Sequence, residues 1–363
     1  MEGRWLRVIA ALIVFGIATA VGVLLFGRFE TAPDPETFIN QVTADSWALI
    51  LMIALILAAI TWFGLEYFQT GRLGSLEGQF TTRTFVLMPI GIALNIVLGA
   101  AVANAVKIPI YLDSIGTILV GVLCGPIAGA LTGALGNVLW SYVIPPPFQY
   151  APAAAFAIPA VAIGLLAGLA GRAGILRPRL NRPTRDLAIG GVVTVGLILG
   201  LSYLAYLGYE AIIGKAALAP VSDNQIFVIL GWIALGLVAL TVIGLLALLV
   251  LRRDLTAAYV VVAGVVTGIV AALISAPIAA GVFGGVTGAG ADFLVAAFRQ
   301  AGADVRAATL GQGLISDPID KVTTFFVVYL ILNAMARRTK ARFPQGERLL
   351  DASDTAEVQE ARA

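Results

Sequence analysis

Polar residues that could bind a ligand fall into three clusters, and the first follows a lysine within an apolar region. Residues 107–117 place Asp113, Ser114 and Thr117 on one face of an expected helix, since residues three or four apart are neighbours on a helix surface. A carboxylate and two hydroxyls can bind a polar solute, and ionisable groups inside membrane segments are typically functional. Alternatively, Asp113 caps the helix or pairs with Lys107. Both interpretations stay open on the sequence.

The second cluster follows a stripe of small residues at four-residue spacing. Gly125, Gly129 and Gly133 lead to Asn137, and Trp140 comes one turn later. Such a stripe is typical of close helix packing in membranes, whereas an amide in a dry site needs a partner or a ligand. We therefore take Asn137 as a candidate ligand contact. Trp140 is either a further contact or an interfacial aromatic residue.

The third cluster lies just before the last apolar run and contains Asp317, Asp320 and Lys321. Two carboxylates and an amine at the mouth of a helix bundle could bind a charged or polar solute. For Asp317, which precedes Pro318, a helix cap is the favoured interpretation, whereas Lys321 is expected to point into the bundle. Asn95, further upstream, is a comparable polar candidate, with interhelical hydrogen bonding as the alternative.

Composition excludes several kinds of chemistry. The chain has no histidine and one cysteine, Cys124, so disulfide frameworks, zinc sites built on cysteine and histidine, and histidine acid–base catalysis do not apply. No phosphate-binding Walker motif occurs, and the net charge of +2 gives no argument for nucleic acid. We therefore predict no catalytic residues, no metal and no cofactor. An intramembrane enzyme using Asp113, Asp317 or Asp320 is the least favoured alternative.

The elements that must position these clusters are membrane helices. Hydrophobic residues make up 60% of the 363 residues and charged residues 12%, against about 25% charged in soluble proteins. A membrane span needs about 20 mostly apolar residues. The sequence therefore predicts an all-α polytopic membrane bundle of about ten spans. These are Leu6–Phe26, Trp47–Tyr67, Thr84–Ala103, Pro109–Cys124, Pro126–Ile144, Pro152–Leu169, Leu187–Leu207, Ile226–Leu251, Thr256–Ala276 and Pro318–Ala336.

Basic residues predict the orientation, because they collect in cytoplasmic loops. With the amino terminus inside, most of the 23 basic residues fall on the cytoplasmic side. The first loop on the other side is acidic. We therefore expect a multi-pass plasma-membrane protein with both termini in the cytoplasm. Residues 283–299 are expected to form an external cap or re-entrant segment, and the polar tail 343–363 is expected to be disordered.

Three stretches resemble the substrate-binding S components of energy-coupling factor (ECF) vitamin transporters. They are IPIYLDSIGTILVGVLCGPIAGALTGALGNVLW at 108–140, SAPIAAGVFGGVTGAGADFL at 275–294 and LISDPIDKVTTFFVVYLIL at 314–332. Members of that family are typically six-span bundles that hold a vitamin or similar small solute near the outer face. A coupling membrane subunit and two cytoplasmic ATPase subunits supply their energy.

This resemblance implies a membrane domain at 84–342, with a two-span insertion at about 186–254 and a two-span extension at 1–83. The implied function is solute binding by Asn95, Asp113, Ser114, Thr117, Asn137, Trp140, Asp317, Asp320 and Lys321. Family members dock on their partners through small-residue faces, and the candidates here are Gly99, Ala103, Gly125, Gly129 and Gly133. The alternative function is a membrane sensor or scaffold without transport activity of its own.

Overall fold

A computed structural model of the chain describes residues 2–27, 41–105, 110–146, 148–180, 182–210 and 225–351. About 80% of the structure is helical, and the described residues form no strand. The α-helices are α1 (Glu2–Phe26), α2 (Gln41–Thr70), α3 (Thr82–Ala105), α4 (Ile115–Cys124), α5 (Pro126–Tyr142), α6 (Ala157–Arg172), α7 (Thr184–Glu210), α8 (Gln225–Val250), α9 (Thr256–Phe283), α10 (Asp292–Gln300), α11 (Val305–Ala334) and α12 (Arg337–Ala341). Short 3₁₀ helices lie at Ala151–Phe156 and Gly346–Leu349.

Among the described residues, six helices are long and apolar enough to cross a membrane. They include α1, α2, α3, α7 and α9, and the last is formed by Ala151–Phe156 together with α6. Each of the other predicted spans overlaps a helix, but α4 has only 10 residues and α5 has 17. The chain is therefore a helical bundle with six candidate membrane-spanning helices.

The first two helices form a hairpin at the edge of the bundle. An ion pair closes its end, with Arg7 Nη1 lying 3.2 Å from Glu66 Oε1, and Arg7 Nε donates to Gln69 Oε1 at 2.7 Å. One side of α1 packs on α2, whereas many of its large apolar side chains are exposed, among them Leu12 and Leu24. The hairpin is joined to the other helices through α2, which contacts the 3₁₀ helix at Ala151–Phe156 and helices α6 and α9.

Helices α4, α5 and α6 pack together through glycine. Gly125 separates α4 from α5 with φ of +127°, a conformation that side-chain-bearing residues rarely adopt, and Pro126 starts α5 as the sequence predicted. A Cβ added at Gly164 would lie 2.3 Å from the carbonyl carbon of Gly129. The two helices can approach this closely only because both positions lack a side chain.

The α9–α11 pair corrects two sequence predictions. Helix α9 does not end at Ala276 but continues through Pro277 to Phe283, and α11 begins at Val305 instead of Pro318. Asp317 is therefore inside a helix and is not its cap. The cap is Asp304, whose carboxylate accepts from the Ala307 amide at 2.9 Å. Proline inside a membrane helix is tolerated when neighbouring helices compensate for the lost hydrogen bond.

One end of the bundle is closed by the segment after α12. Gln345 donates from its backbone amide to the carbonyl of Leu123 at 2.8 Å, and its side chain donates to the carbonyls of Gly121 and Gly168 at 2.9 and 3.2 Å. Leu349 is buried. The prediction of disorder directly after Phe343 is therefore wrong as far as Asp351, because this stretch packs on α4 and α6. Residues 352–363 lie outside the described part of the chain.

A second contact at this end joins two basic loops. Asp254 Oδ1 accepts from the amide of Arg179 at 3.0 Å, and Asp254 Oδ2 accepts from the hydroxyl of Tyr329 at 2.6 Å. The loops after α6 and after α8 are thereby held against α11. All of these contacts lie at the end of the bundle away from Asp113 and Lys321.

Candidate functional site

A cavity of about 870 Å³, including its open mouth, lies between α4, α5, α6, α9 and α11. Most of the side chains predicted to bind solute line it, although long stretches of sequence separate them. These are Asp113, Ser114, Thr117, Asn137, Trp140, Asp317 and Lys321. Asn95 and Asp320 do not line the cavity but support residues that do. The fold therefore brings all three sequence clusters to one place.

The loop before α4 carries Asp113 and Ser114 into the cavity. Its shape depends on Leu112, which has φ of +53° and is fully buried. This left-handed conformation is costly for a residue with a side chain. Asp320 compensates, because its Oδ1 accepts from the amides of Tyr111 and Leu112 at 3.1 and 2.7 Å. Asp320 is therefore a positioning residue for the cavity loop.

Lys321 lies at the centre of a polar network on the cavity wall. Its Nζ is 2.5 Å from Asp320 Oδ2, 2.9 Å from Ser114 Oγ and 3.7 Å from Asp113 Oδ1. The side chains of Lys321 and Asp320 are 4% and 0% exposed, whereas that of Asp113 is 31% exposed. Burial of a charge is tolerated when it is paired and hydrogen-bonded. The Lys321–Asp320 pair meets this condition, and Asp113 is left more open to the cavity.

Asp317 lies one helical turn before Lys321 and lines the same cavity. It is 5% exposed, and Ser275 Oγ on α9 donates to its Oδ2 over a long 3.3 Å. Ser275 was not identified from the sequence. A hydroxyl near the end of a long apolar run is the signal that could have found it.

Asn95 and Thr117 form the layer beneath the cavity. The side-chain nitrogen Nδ2 of Asn95 donates to Thr117 Oγ1 at 2.8 Å, and Asn95 Oδ1 accepts from the backbone amide of Gly116 at 2.7 Å. Both hydrogen-bonding groups of Asn95 are thus used inside the protein. Asn95 therefore makes interhelical hydrogen bonds, the alternative role considered for it from the sequence. Thr117 lies between Asn95 and the cavity.

Aromatic side chains form another wall. Trp140 Nε1 donates to the Phe148 carbonyl at 2.7 Å, and its ring lies 5.2 Å from that of Tyr150. Trp140 is therefore buried at the cavity and is not an exposed interfacial residue. Asn137 Nδ2 donates to the Gly133 carbonyl at 3.0 Å. Its side chain also lines the cavity.

Several lining residues were not among the predicted solute contacts. Tyr150 donates its hydroxyl to the Thr287 carbonyl at 2.9 Å, and Gln312 Nε2 donates to the Tyr111 hydroxyl at 2.8 Å. Asp292 starts α10 and also lines the cavity. Tyr150 connects the loop before α10 to the cavity wall, and Thr287 and Asp292 line the cavity, so the segment predicted as a cap or re-entrant element packs over the cavity.

Asp292 organises that loop. Its Oδ2 accepts from the amides of Thr287 and Gly288 at 2.8 and 2.7 Å, and its Oδ1 accepts from Thr287 Oγ1 at 2.8 Å. Burial raises the pKa of Asp292 to about 6, against the lowering effect of these hydrogen bonds. The carboxyl group of Asp292 is thus held by donors from the loop just before α10.

The glycines predicted as a docking face are used inside the bundle. Gly129 and Gly133 are buried against the backbone of Gly164 and Ala160 on α6. A Cβ at Gly99 would meet the ring of Trp140 and the Cβ of Asp113, and Gly125 packs on Gln79. These contacts are all within the chain. The side chain of Ala103 lies outside the described residues.

Metal binding finds no support among the described residues, where no group of three or more potential His, Cys, Asp or Glu ligands converges. The cavity carboxylates are instead spread over its walls between aromatic and hydroxyl groups. Such a mixture of apolar walls and few polar groups is typical of sites for small organic molecules.

The chain matches no family model, no curated protein and no solved structure.

Proposed function

We propose that the chain is the solute-binding membrane subunit of an ECF-type transporter that takes up a vitamin or similar small solute. The observation that carries the proposal is the cavity, which brings Asp113, Asn137 and Lys321 together from three separate helical regions. Its walls combine apolar and aromatic residues such as Phe156 and Tyr150 with a few convergent polar groups, which is the usual composition of small-molecule sites. The resemblance of the three sequence stretches to S components supplies the transporter class.

The proposed membrane arrangement has ten spans, both termini in the cytoplasm and a cavity open to the outside. Support comes from the loops at the end of the bundle opposite the cavity, which carry Arg177, Arg179, Arg252 and Arg253. Basic residues of this kind mark the cytoplasmic side. Helices α3, α4, α5, α6, α9 and α11 would be the six-helix core, with α1–α2 and α7–α8 as additions around it.

Binding without catalysis is proposed because the amine in the cavity is already engaged. Lys321 lies between Asp320 and Ser114, and this pairing opposes its use as a base or nucleophile. Energy for uptake would come from a coupling membrane subunit and two cytoplasmic ATPase subunits, since the sequence has no Walker motif of its own. The other partners are the solute and the lipid bilayer, and no nucleic acid is involved.

Thermal unfolding of the purified full chain tests this function. Water-soluble vitamins and nucleobases would be added singly, and a ligand at about 100 times its Kd adds about 2.7 kcal/mol of stability. We expect at least one compound to raise Tm, and the Asp113→Ala/Lys321→Ala variant to lose that rise. An Asp186→Ala variant at an exposed position of α7 is the control.

Uptake by cells that carry the energising subunits completes the test. The same double variant should abolish uptake of the stabilising compound, and the control should retain it. No stabilisation by any compound, with unchanged uptake in the double variant, would contradict the proposal. Co-isolation of a signalling kinase in place of ATPase subunits would favour the sensor alternative.

A further inference from the structure

The cavity wall has more acidic than basic groups. Its lining includes the carboxyl groups of Asp113, Asp292 and Asp317, and Lys321 is the single basic side chain among the lining residues that the structure describes. Asp320 lies directly behind the wall and is completely buried. A cavity with this composition carries surplus negative charge unless a ligand or bound protons balance it.

The single positive charge of Lys321 cannot balance all of these carboxylates. Its Nζ is 2.5 Å from Asp320 Oδ2 and also donates to Ser114 at 2.9 Å. Asp320 thus supplies one full countercharge for Lys321. Asp113 lies 3.7 Å from the same amine, a distance beyond the usual hydrogen-bond range of about 2.7–3.2 Å. An anionic ligand would therefore meet an amine that is already paired.

The three lining carboxylates differ in how well the protein satisfies them. Asp292 is held by donors from Thr287 and Gly288. Asp317 is 5% exposed and accepts one hydrogen bond from the residues that the structure describes, the 3.3 Å contact from Ser275. A buried carboxylate with so little compensation is costly. Since Asp317 lines the cavity, a cation placed there would remove this cost.

The aromatic wall fits the same ligand chemistry. Trp140 and Tyr150 lie with ring centroids 5.2 Å apart at the cavity, and Phe156 lines it from the start of α6. Aromatic ring faces attract cations, and tryptophan is the strongest of them. They also pack on flat apolar groups. Carboxylates next to aromatic rings thus favour an organic cation over a small inorganic ion.

We propose that the solute bound in this cavity is an organic cation, with its positive charge near Asp317 and Asp113 and its apolar body against Trp140 and Tyr150. This proposal rests on the proposed function, since it specifies the charge class of the same solute. It is separable from that function, because a solute-binding subunit could bind a neutral or an anionic solute in the same cavity.

Three probes of similar size test the charge. They are trimethylphenylammonium, its neutral isostere tert-butylbenzene, and benzoate, each added to the purified full chain while thermal unfolding is followed. Stabilisation by the cation at a concentration at least about tenfold lower than for the neutral probe is expected, because the quaternary ammonium is attracted both by the carboxylates and by the aromatic ring faces. Benzoate should not stabilise the chain.

Asp317→Asn keeps the shape of the side chain and removes its charge. It should weaken cation binding by about tenfold or more, since the variant removes the charge that attracts the ammonium group, and leave the response to tert-butylbenzene unchanged. Asp113→Asn, at a more exposed site, provides a second variant should Asp317→Asn not fold, with a loss in the same direction. Asp186→Asn on α7 should behave as wild type.

Stronger stabilisation by benzoate or tert-butylbenzene would overturn the cation proposal and leave the solute-binding function standing. The absence of any response to trimethylphenylammonium up to millimolar concentration would overturn it too. An equal response in wild type and both carboxylate variants would show that the cation binds elsewhere, which also contradicts the proposal. Failure of the function itself would appear separately, as no effect of any vitamin on stability or uptake.

Discussion

Asp320 Oδ1 accepts a hydrogen bond of 2.7 Å from the amide of Leu112, 208 residues away along the chain. The other oxygen of the same carboxylate holds Lys321. One buried side chain thus fixes both the loop that carries Asp113 and the amine on the cavity wall. The geometry of the candidate site depends on this contact between α11 and the loop before α4.

Replacing Asp320 by asparagine should destabilise the protein strongly. Asparagine can still accept from the Leu112 amide, but Lys321 loses its main countercharge. Breaking a buried ion pair by removing one partner costs about 3–5 kcal/mol, so Tm of the purified chain should fall by several degrees or more. The double variant Asp320→Asn/Lys321→Met should recover part of the loss, because it also removes the unpaired charge. If the stability losses of Asp320→Asn and Lys321→Met alone simply add up to the loss of the double variant, the result would contradict a direct pairing of the two side chains.

Ligand binding should change the fluorescence of Trp140. This side chain lines the cavity, whereas Trp5 is exposed on α1. A stabilising solute should therefore alter the intrinsic fluorescence of wild type and of Trp5→Phe, but much less that of Trp140→Phe. The Trp140 change also removes the donor to the Phe148 carbonyl, with an expected stability loss of about 1 kcal/mol. An undiminished signal in Trp140→Phe would place the ligand elsewhere.

The contact of α5 with α6 should not tolerate a single methyl group. A Cβ at Gly164 would lie 2.3 Å from the carbonyl carbon of Gly129, and backbone on the other side cannot move aside cheaply. Overpacking of this kind costs about 1–3 kcal/mol, so Gly164→Ala should lower Tm. The matched control is Gly200→Ala on α7, where nothing lies within 4 Å of the added Cβ. Equal effects of the two changes would show that α5 and α6 are not in close contact.

Stability should depend on pH through Asp292. Because burial raises the pKa of Asp292 to about 6 in the folded chain, folding favours the protonated form. The stabilising contribution is complete below the unfolded pKa and is lost as pH rises through about 6. Tm of wild type relative to Asp292→Asn should therefore fall between pH 4.5 and 7.5. A difference that rises or stays constant over this interval would contradict burial of the carboxyl group.

Much of the helical bundle is predictable from apolar runs, because each membrane helix needs its own apolar stretch. The boundary at Gly125 and Pro126 was predicted and is confirmed. The start of α11 was not, because a proline normally marks a helix start. At Pro318 the helix instead continues, and Gly268 on α9 packs against the proline backbone. This tertiary contact cannot be read from the local sequence pattern, which would start the helix at Pro318.

The residues of the candidate site were likewise predictable from local sequence only in part, because tertiary packing decides the rest. Charged residues in apolar sequence are costly enough to be noticed, which is why Asp113 and Lys321 were candidates. Tyr150 and Gln312 lie in ordinary polar or aromatic contexts, and only packing brings them to the cavity. Asp320 was predicted to bind solute, yet it lies behind the wall and positions the loop. The sequence shows that Asp320 is charged, but it does not show that the side chain points away from the cavity.

Native mass spectrometry of the full chain, extracted gently from its own cell membranes, tests the central claim most directly. We predict one small organic molecule bound per chain, retained by Asp186→Asn and lost or strongly reduced in Trp140→Ala and Asp113→Asn. Release of the molecule on unfolding would give its mass and charge. A chain that carries no such molecule under any extraction condition, or one whose bound molecule is unaffected by both cavity variants, would contradict a solute-binding cavity at this site.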